Sequence, residues 1–561
     1  MELPVPHDGP VFPDRFNCAN YFLFDRLTEG RGEKIALRFG PRAWTYDAVA
    51  KNARAFAATL YDADIRRGER VLIILPDCPP FVWAFFGALA RACVVAMGNP
   101  DAAPAQLQYL ARYTRATAIV TIPRVAKAIH AGLGPEVRRV YGVPEVGTDE
   151  DPEQKCEVLG DPRGVDLSEA LARARALESR GVDRAADNTN FDVVDTHRDE
   201  PAIWLFTSGS TGEPKATMHT HRDFAFNTEV YAKQTIGFAE RDVTLSVPRL
   251  FFGYGTGTNL LFPFAVGATA CLFSERPTPQ TLAAAIALYR PTVITNVPTM
   301  FAKLLEHDRL LLSQGGAGLD LSSVRFSLSA GEPLPHSLLD RWRARFGGDV
   351  YDGIGSAEMF HIYASNRPGD VKAGSLGKAV FGYQLRILAD DAQGAGAMPC
   401  APGEIGVLWV KGDSVAQGYW LDRDKSWATF HGHWCRTGDL CRIDEEGYLY
   451  FAGRADDLFK VSGLWVAPVE VEDCLMRHER VALAAVIGVK DEGLCKPKAF
   501  VVLRGGAAPD DEATLTAELQ EFVKSRLAKH KYPRIIEFVA DVPKNDRGKV
   551  DRGALRARSA S

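Results

Sequence analysis

The sequence predicts an α/β fold: a large N-terminal domain of doubly wound sheets, a small β-barrel-like subdomain and a small α+β C-terminal domain. The first observation is that short apolar runs alternate with amphipathic stretches through most of the chain. The second is a change to short alternating strands from about Gly403, and the third is a compact α+β pattern after Arg454. Alternating strands and helices are typical of parallel sheets that helices cover.

The alternation is clearest near the N-terminus. The predicted elements are, in order, a strand at 70–76, an apolar helix at 80–92, a strand at 93–97, a helix at 104–113, a strand at 118–121, and the same pattern again over 281–297 and 324–350. Residues 145–200 are rich in Asp, Glu and Arg and lack a strong strand signal. We therefore expect them to be a surface excursion.

The C-terminal part has a different character. Its predicted elements are short strands at 406–410 and 447–451, a helix at 468–478, strands at 484–489 and 499–503, and a helix at 513–528. The charged segment 453–463 lies at the junction and suits a hinge, because few residues there must absorb a large backbone change. We expect an N-terminal domain over 1–454, a C-terminal domain over 455–561 and a hinge near Asp456.

Length, charge and cysteine content argue against several classes of protein. A chain of 561 residues is longer than a single hydrophobic core supports. A net charge of −5 gives no sign of a nucleic-acid partner, and the most hydrophobic stretch, 81–90, is too short to span a membrane. The ten cysteines form no C-x-x-C pair, so neither a zinc site nor a disulfide framework is indicated. A reducing cytoplasm is the expected location.

One segment predicts phosphate binding. Directly after an apolar strand, the chain packs hydroxyl side chains, glycines and a lysine into nine residues: Thr207, Ser208, Gly209, Ser210, Thr211, Gly212 and Lys215. Hydroxyls and backbone N–H groups bind phosphate oxygens, and glycine lets the backbone curl around an anion. The spacing excludes a Walker A loop, which needs four residues between its glycines. A flexible surface linker is the alternative.

Three further segments have the residue types of a nucleotide site. Glu358 ends the glycine-containing run 351–358 and can coordinate Mg²⁺ beside phosphates. Asp439 follows a glycine turn and suits the two hydroxyls of a ribose. Lys549 lies on a glycine-bearing turn near the C-terminus. Each segment taken alone is equally compatible with an ordinary solvated turn.

Taken together and in this order, these segments resemble the adenylate-forming superfamily of acyl-CoA synthetases, luciferases and peptide-synthetase adenylation domains. The resemblance runs over essentially the whole chain and includes 329–335 and 402–420. A narrower similarity to benzoate–CoA ligases rests on 16–21, 250–255 and the run 358–371. A generic aryl or alkyl acid ligase is the alternative to that narrower reading.

The resemblance implies a reaction in two halves. A carboxylate attacks the α-phosphate of ATP to give acyl-AMP and pyrophosphate, and CoA then displaces AMP to form a thioester. Lys549 is expected to bridge the carboxylate and the phosphate during the first half. The mobile C-terminal domain then rotates about Asp456, so that Lys460 and Gly463 border the channel for CoA.

The resemblance also assigns the remaining site residues. Segment 207–215 is expected to hold the β- and γ-phosphates, Glu358 to serve Mg²⁺, and Asp439 to bind the ribose hydroxyls. Arg454 is expected to help at the ribose or the phosphate side. The adenine is expected to lie against Gly331, Glu332, Pro333, Asp352, Gly353, Ile354 and Gly355. The acid pocket is expected to consist of Phe252, Tyr254, Ala330, Gly331, Gly353, Gly355, His361 and Ile362, although His361 is equally explained as a core histidine.

Two positions depart from the superfamily pattern. Ala357 stands where a threonine hydroxyl usually contacts the α-phosphate, so adenylation is expected to be slower unless Ser356 or water compensates. Ile354 replaces an aromatic side chain against the adenine. The expected partners are an aryl carboxylic acid, ATP and CoA, with no nucleic acid and no membrane, in a monomer or homodimer. The alternatives are an adenylation enzyme that loads a carrier protein, a luciferase-like oxidation, and a non-catalytic nucleotide-binding protein.

Overall fold

The α/β fold class predicted from the sequence is confirmed by a computed structural model. It describes residues 9–156, 158–160, 162–179, 193–208, 213–392, 394–454, 457–461, 464–491, 494–504, 511–543 and 550–560. A large N-terminal part contains two extended sheets and a smaller antiparallel sheet, and a small C-terminal part has its own sheet.

The described strands are numbered in chain order. They are β1 (Ile35–Phe39), β2 (Arg42–Thr45), β3 (Arg70–Ile74), β4 (Val94–Met97), β5 (Ala118–Thr121), β6 (Arg139–Gly142), β7 (Gly164–Asp166), β8 (Pro201–Ser208), β9 (Pro214–Thr220), β10 (Val243–Ser246), β11 (Thr269–Leu272), β12 (Val293–Asn296), β13 (Phe326–Ala330), β14 (Val350–Gly355), β15 (Ile362–Ser365), β16 (Lys378–Ala379), β17 (Gln384–Leu388), β18 (Gly406–Lys411), β19 (Phe430–His431), β20 (Trp434–Ile443), β21 (Leu449–Arg454), β22 (Phe459–Val461), β23 (Leu464–Val466), β24 (Val481–Asp491), β25 (Leu494–Leu503) and β26 (Ile535–Phe538).

The described α-helices are numbered in the same way. They are α1 (Asp25–Thr28), α2 (Tyr46–Asp62), α3 (Pro79–Ala90), α4 (Pro104–Thr114), α5 (Pro123–Ile129), α6 (Leu167–Ser179), α7 (His221–Asn227), α8 (Gly253–Thr256), α9 (Phe262–Ala265), α10 (Pro279–Tyr289), α11 (Pro298–Ser313), α12 (His336–Phe346), α13 (Arg423–Thr429), α14 (Pro468–Met476), α15 (Glu512–Lys524) and α16 (Arg552–Ala560). Short π-helical turns at Asn20–Phe24, Thr228–Ile236 and Gly257–Leu261 and 3₁₀ turns at His130–Gly132 and Ala357–Met359 complete the set.

Two mostly parallel sheets form the centre of the N-terminal part. Among the described strands, one sheet has the order β7-β6-β5-β3-β4-β8-β9, in which β9 alone runs antiparallel to its neighbour. The other has the order β16-β15-β14-β13-β12-β10-β11-β1-β2 and is parallel from β14 to β1. Helix α3 is buried at every residue, which confirms the predicted apolar core helix.

The third sheet of the N-terminal part is antiparallel, with β17, β18, β20 and β19 in order and β21 added beside β20. Backbone hydrogen bonds join it to both larger sheets. The Leu449 amide donates to the Gly377 carbonyl, and the Leu376 amide donates to the Leu449 carbonyl. On the other side, the Met218 amide of β9 donates to the Gly418 carbonyl at 2.9 Å.

The surface excursion expected over 145–200 is only partly correct. Within it the structure forms β7 and the helix α6, whose residues Leu167, Leu171 and Ala174 are buried in the main core. The buried apolar residues of this helix are three or four positions apart, which is the spacing of one helix face. Charged residues lie between them, so the composition of the segment does not reveal the helix. Residues 180–192 lie outside the described residues.

The C-terminal part has its own cores. One contains Val466, Leu475 and Val501, and another contains Ile487 and Phe500, whereas Leu458 packs on the antiparallel sheet of the N-terminal part. The core therefore changes between Leu458 and Val461, close to the expected boundary at 454/455. That boundary stays a prediction, because Asp456 lies outside the described residues. No described helix is long and apolar enough to cross a membrane.

We predict that Gly377→Ala strongly destabilises the fold. Gly377 has φ +71°, and a Cβ there would lie 1.9 Å from the Ser365 backbone carbon. Because backbone cannot yield as a side chain can, we expect a loss of about 3 kcal/mol or more. Thermal and denaturant unfolding measure it. Gly369→Ala is the control: φ is +76° with nothing within 4 Å, so only the left-handed cost of about 1–2 kcal/mol applies. Equal losses in the two variants would contradict the close approach.

Candidate functional site

The predicted site residues gather at the carboxyl ends of parallel strands. β8 ends at Ser208, β13 at Ala330 and β14 at Gly355, and each is followed by one of the predicted segments. Ligands in open α/β sheets bind at this edge, because the loops that leave it converge there. The pairing of Ala330 with Gly353 holds two of these strand ends in register.

The segment predicted to bind phosphate is the turn of the β8–β9 hairpin. Thr207 pairs with Lys215, and Ser208 pairs with Pro214, so the ends of the loop are fixed by the sheet. Gly209, Ser210, Thr211 and Gly212 lie outside the described residues. The Lys215 Nζ lies 2.7 Å from Asp422 Oδ2, and this hydrogen bond lowers the pKa of Asp422.

A strained turn follows β14. Ala357–Met359 form a 3₁₀ turn, and Phe360 then adopts φ 68° and ψ −56°. The His361 amide donates to the Met359 carbonyl at 2.9 Å, which closes a γ-turn of the rare kind with positive φ. Such strain persists only where the surroundings over-determine it, and it concentrates at functional sites. Here the turn separates Glu358, which contacts Tyr419, from His361.

Glu358 is held on both its backbone and its side chain. The Ala416 amide donates to the Glu358 carbonyl at 2.9 Å, and the Tyr419 hydroxyl donates to Glu358 Oε1 at 2.7 Å. Burial raises the pKa of Tyr419 and the Glu358 carboxylate raises it further, so this hydroxyl stays a donor. Within the described ranges, no group of three or more His, Cys, Asp or Glu side chains forms a metal site by itself.

Asp439 and Arg454 are brought together as the sequence predicted. They pair across β20 and β21, and Arg454 Nη1 donates to Asp439 Oδ1 at 2.8 Å. Asp439 and Glu358 also share a neighbour: burial raises the pKa of Tyr363, and both carboxylates raise it further. The residues predicted for the ribose and for the metal thus both act electrostatically on Tyr363.

The residues predicted for the adenine flank the end of β13. Gly331 has φ +94°, and Glu332 Oε2 accepts a hydrogen bond from the Thr299 hydroxyl at 2.7 Å. Asp352 is buried and accepts from the Leu334 amide at 3.2 Å, and burial raises its pKa to about 7. Pro333 lies in the same loop, and Ile354 is partly buried against the main core.

The predicted acid pocket surrounds His361. Its ring centroid lies 4.7 Å from that of Phe262 and 5.2 Å from that of Tyr254, and Nε2 lies 3.2 Å from the Tyr254 carbonyl oxygen. Burial lowers the pKa of His361 to about 3, so the ring is neutral. Within the described residues, His361 Nδ1 and the Tyr254 hydroxyl are buried without a hydrogen-bond partner.

The other pocket residues are distributed around this ring cluster. Gly355 pairs with Ile362 across β14 and β15. Phe252 precedes α8, and its ring lies tilted against that of Phe251, with the centroids 4.4 Å apart. Lys460, predicted for the CoA channel, is exposed on β22 of the C-terminal part. Asp456, Gly463 and Lys549 lie outside the described residues, so their predicted roles stay predictions.

Sequence reasoning missed several residues that contact the predicted ones. Tyr419 donates to Glu358, Asp422 pairs with Lys215, and Tyr231 and Phe262 pack on His361. Tyr419 lies in segment 402–420, which is part of the resemblance to the superfamily, so the sequence could have identified it as a site residue. No local pattern marks the other three, because each meets its partner only through the tertiary fold.

We predict that His361 makes the fold less stable in acid. Its pKa is lowered from 6.5 to about 3, so the folded state stays neutral while the unfolded state protonates as the pH falls below 6.5. The stability is therefore complete above that pH and decreases below it, by about 2 kcal/mol between pH 7 and pH 5 from this group. Unfolding of His361→Gln at both pH values should show a smaller decrease than the parent protein. His433→Gln, at an exposed histidine, should keep the parent's dependence. An unchanged dependence in His361→Gln would contradict the prediction.

Comparison with known proteins adds independent findings. Residues 24–420 match the family described as AMP-binding enzyme, and residues 470–549 match the AMP-binding enzyme C-terminal domain. The benzoate–CoA ligase of Thauera aromatica is 38% identical over 547 residues, which is 97% of this chain and 96% of that protein.

Solved structures agree with the family match. A benzoate CoA ligase from Burkholderia xenovorans is 35% identical with a TM-score of 0.81, covering 96% of this chain and 100% of that one. An anthranilate CoA ligase in complex with anthranoyl-AMP is 31% identical with a TM-score of 0.86, covering 98% of each chain. The chain thus belongs to the AMP-binding enzyme family, the adenylate-forming superfamily, and within it is similar to the benzoate–CoA ligases.

Proposed function

We propose that this protein is an AMP-forming acid–CoA ligase that activates benzoate or a substituted benzoate. It would do so through an acyl-AMP intermediate to the aryl-CoA thioester, with ATP and CoA as co-substrates. The observation that carries the proposal is the contrast between two environments, one on each side of the turn that follows β14. The carboxylates of Glu358 and Asp439 suit a nucleotide, and aromatic rings surround the neutral His361, where the acid is expected to bind. The similarity to benzoate–CoA ligases over nearly the whole chain supports the same substrate class.

The nucleotide is assigned to the strand ends and the antiparallel sheet. We assign the β- and γ-phosphates to segment 207–215, the adenine to 331–333 and 352–355, and the ribose hydroxyls to Asp439 with Arg454. Asp439 suits a ribose because it is largely buried and already anchored by a guanidinium, so its carboxylate is held in one orientation. A fixed carboxylate loses little freedom when it accepts two hydroxyls.

Glu358 fits a magnesium ion that the nucleotide brings with it. Mg²⁺ keeps several waters and is usually bound by one or two carboxylates together with substrate phosphates. A single anchored carboxylate, without a three-residue metal cluster among the described residues, agrees with that arrangement. When bound, the ion would neutralise charge on the phosphates; Glu358 would orient it, and Tyr419 would fix the carboxylate.

The acid pocket suits an uncharged ring. Aromatic faces around His361 offer offset and edge contacts to a benzene ring. The neutral His361 ring has its Nδ1 available as an acceptor, and the Tyr254 hydroxyl is available as a donor. Small neutral substituents such as hydroxyl or amino groups would satisfy these atoms, whereas a second carboxylate would be buried without a cation.

The two half-reactions are assigned to two arrangements of the C-terminal domain. In the first, Lys549 would bridge the carboxylate and the AMP phosphate, which offsets their repulsion and fixes the attack geometry. In the second, rotation about Asp456 would bring Lys460 and Gly463 to the CoA channel. The separate hydrophobic cores of the C-terminal part support such a rotation, because the part that moves can stay folded. The ten unpaired cysteines suit a reducing cytoplasm as its location.

We predict that the purified protein releases pyrophosphate from ATP with benzoate and forms benzoyl-CoA with free CoA. The test is a panel of benzoate, hydroxybenzoates, aminobenzoates, cinnamate and short fatty acids, with phthalate as the doubly charged member. We expect kcat/KM to be at least about 100-fold lower for phthalate than for benzoate, because of its unpaired second charge.

The outcomes separate the alternatives. Pyrophosphate release without a CoA thioester would favour transfer to a carrier protein. Preference for short fatty acids would contradict the aryl pocket. Nucleotide binding without turnover of any acid would favour a non-catalytic protein and overturn the proposal.

We predict that Lys549→Ala abolishes acyl-AMP formation and leaves thioester synthesis from supplied acyl-AMP within about threefold of the parent rate. The reason is that the lysine is needed only where two anions meet, as a fixed positive charge. Single-turnover measurements of each half-reaction separate the two effects. Lys524→Ala, at a lysine of α15 that lies beside Glu521, is the control and should leave both rates unchanged. Equal losses in the two half-reactions of Lys549→Ala would contradict the two-arrangement mechanism.

A further inference from the structure

A buried histidine behind the Glu358 turn has no role in the site described so far. His219 lies near the end of β9, and its side chain is 0% exposed. Its Nδ1 lies 2.9 Å from Asp223 Oδ2, and its Nε2 lies 2.6 Å from the carbonyl oxygen of Ala357. The histidine thus connects the start of α7 to the residue that precedes Glu358.

Both partners of the His219 ring are hydrogen-bond acceptors. A carbonyl oxygen carries no proton, so Nε2 donates to Ala357. Asp223 also accepts from the Thr220 amide at 3.0 Å and from the Thr220 hydroxyl at 2.5 Å, so its carboxyl group is held in place beside the ring. The ring thus faces an acceptor at each of its two nitrogens. Turning the ring over would place carbon atoms against both acceptors.

The Ala357 carbonyl is the inner anchor of the turn. It accepts from His219 and, at 3.3 Å, from the Thr217 hydroxyl of the same strand. The His219 contact is the shorter of the two, and the Thr217 hydroxyl also donates to the Leu205 carbonyl at 2.8 Å. On the far side of the same turn, Tyr419 holds the Glu358 carboxylate.

The side chain at position 357 adds to the importance of this carbonyl. Alanine has no polar atom with which to anchor the turn, and the Ser356 hydroxyl is buried without a hydrogen-bond partner in the described part of the chain. The turn is also strained at Phe360, and a strained segment keeps its shape only while its neighbours hold it. The described polar contacts inward from Ala357 come from β9.

We propose that His219, paired with Asp223, is a positioning residue that fixes the Ala357–Glu358 turn and thereby the orientation of the Glu358 carboxylate. The proposal rests on the proposed function, in which Glu358 serves the Mg²⁺ of the nucleotide. It makes the His219–Asp223 pair an outer support of that carboxylate, with Tyr419 as the direct one. Supports of this kind are worth about 10–100-fold in metal affinity or activity when they are lost.

The first experiment reads the histidine directly in the metal-free protein. Nitrogen-15 spectra of histidine-labelled protein should show one imidazole whose Nε2 carries a hydrogen-bonded proton that exchanges slowly with solvent. The signal should be absent in His219→Gln, which assigns it. An Nε2 without a proton on the His219 ring of the parent protein would overturn the contact with Ala357.

The second experiment compares two conservative variants. His219→Gln places an amide near Nε2 and can still donate to the Ala357 carbonyl, whereas His219→Asn reaches only as far as Nδ1 and cannot. We expect His219→Asn to raise the Mg²⁺ concentration for half-maximal adenylation by about 10-fold or more and to lower its kcat, and His219→Gln to recover most of this loss. Thioester formation from supplied benzoyl-AMP should stay within about threefold in both variants.

The matched control is His221→Gln. His221 is a buried histidine two residues along the chain, but its Nδ1 accepts from the Cys18 amide at 3.2 Å, and no described hydrogen bond joins it to the turn. Its loss should lower stability without changing the Mg²⁺ dependence or the ratio of the two half-reactions. Thermal unfolding of all variants separates a folding defect from a positioning defect.

The outcomes distinguish this inference from the proposed function. If the parent protein fails to release pyrophosphate with any aryl acid, the proposed function is wrong. If the parent is active and His219→Asn keeps the parent's Mg²⁺ dependence, the positioning role of His219 is wrong. Equal losses in both half-reactions of a folded His219→Asn variant would also overturn it.

Discussion

The strained turn from Ser356 to His361 is the constraint on which the candidate site depends. It joins the last parallel strand, β14, to the antiparallel strand β15, and the chain must reverse there within a few residues. The γ-turn at Phe360 makes the reversal possible. Because of it, Glu358 contacts Tyr419, whereas His361 packs against Phe262. β9 holds the turn from within, and the segment that contains Ala416 and Tyr419 holds it from outside.

The turn also separates two electrostatic environments. On the Glu358 side, burial raises the pKa of Tyr363, and the carboxylates of Asp439 and Glu358 raise it further. On the His361 side, burial alone keeps an imidazole neutral. A ligand with a charged phosphate end and an apolar ring needs such a change of environment within a few ångströms. Because burial of an unpaired charge is costly, the proposed pocket would admit the uncharged end of such a ligand.

Much of the fold could be predicted from the sequence, because its signals are local. The apolar run of α3 and the strands β3 to β5 are each set by a few neighbouring residues, and the structure forms them where they were expected. Helix α6 was missed, because charged residues interrupt its apolar face. The candidate site divides in the same way. Asp439 and Arg454 belong to recognisable segments, and the structure brings them together.

Other contacts of the site carry no local signal. Asp422 is far along the chain from Lys215, and His219 has no neighbour in the sequence that marks it as a partner of Ala357. Such contacts arise only when separate elements meet. A sequence pattern can therefore identify the groups that touch a ligand more readily than those that hold these groups in place.

The backbone bonds between the antiparallel sheet and its two neighbours have a mechanical consequence. Leu449 is tied to Gly377 at the edge of one large sheet, and Gly418 is tied to Met218 at the edge of the other. The small sheet, through β21 and through the connection that contains Gly418, is thus tied to both large sheets. These bonds oppose a shift of Asp439 relative to Glu358. In the proposed rotation, the residues that bind the nucleotide would therefore keep their places, and only the C-terminal part after Arg454 would move.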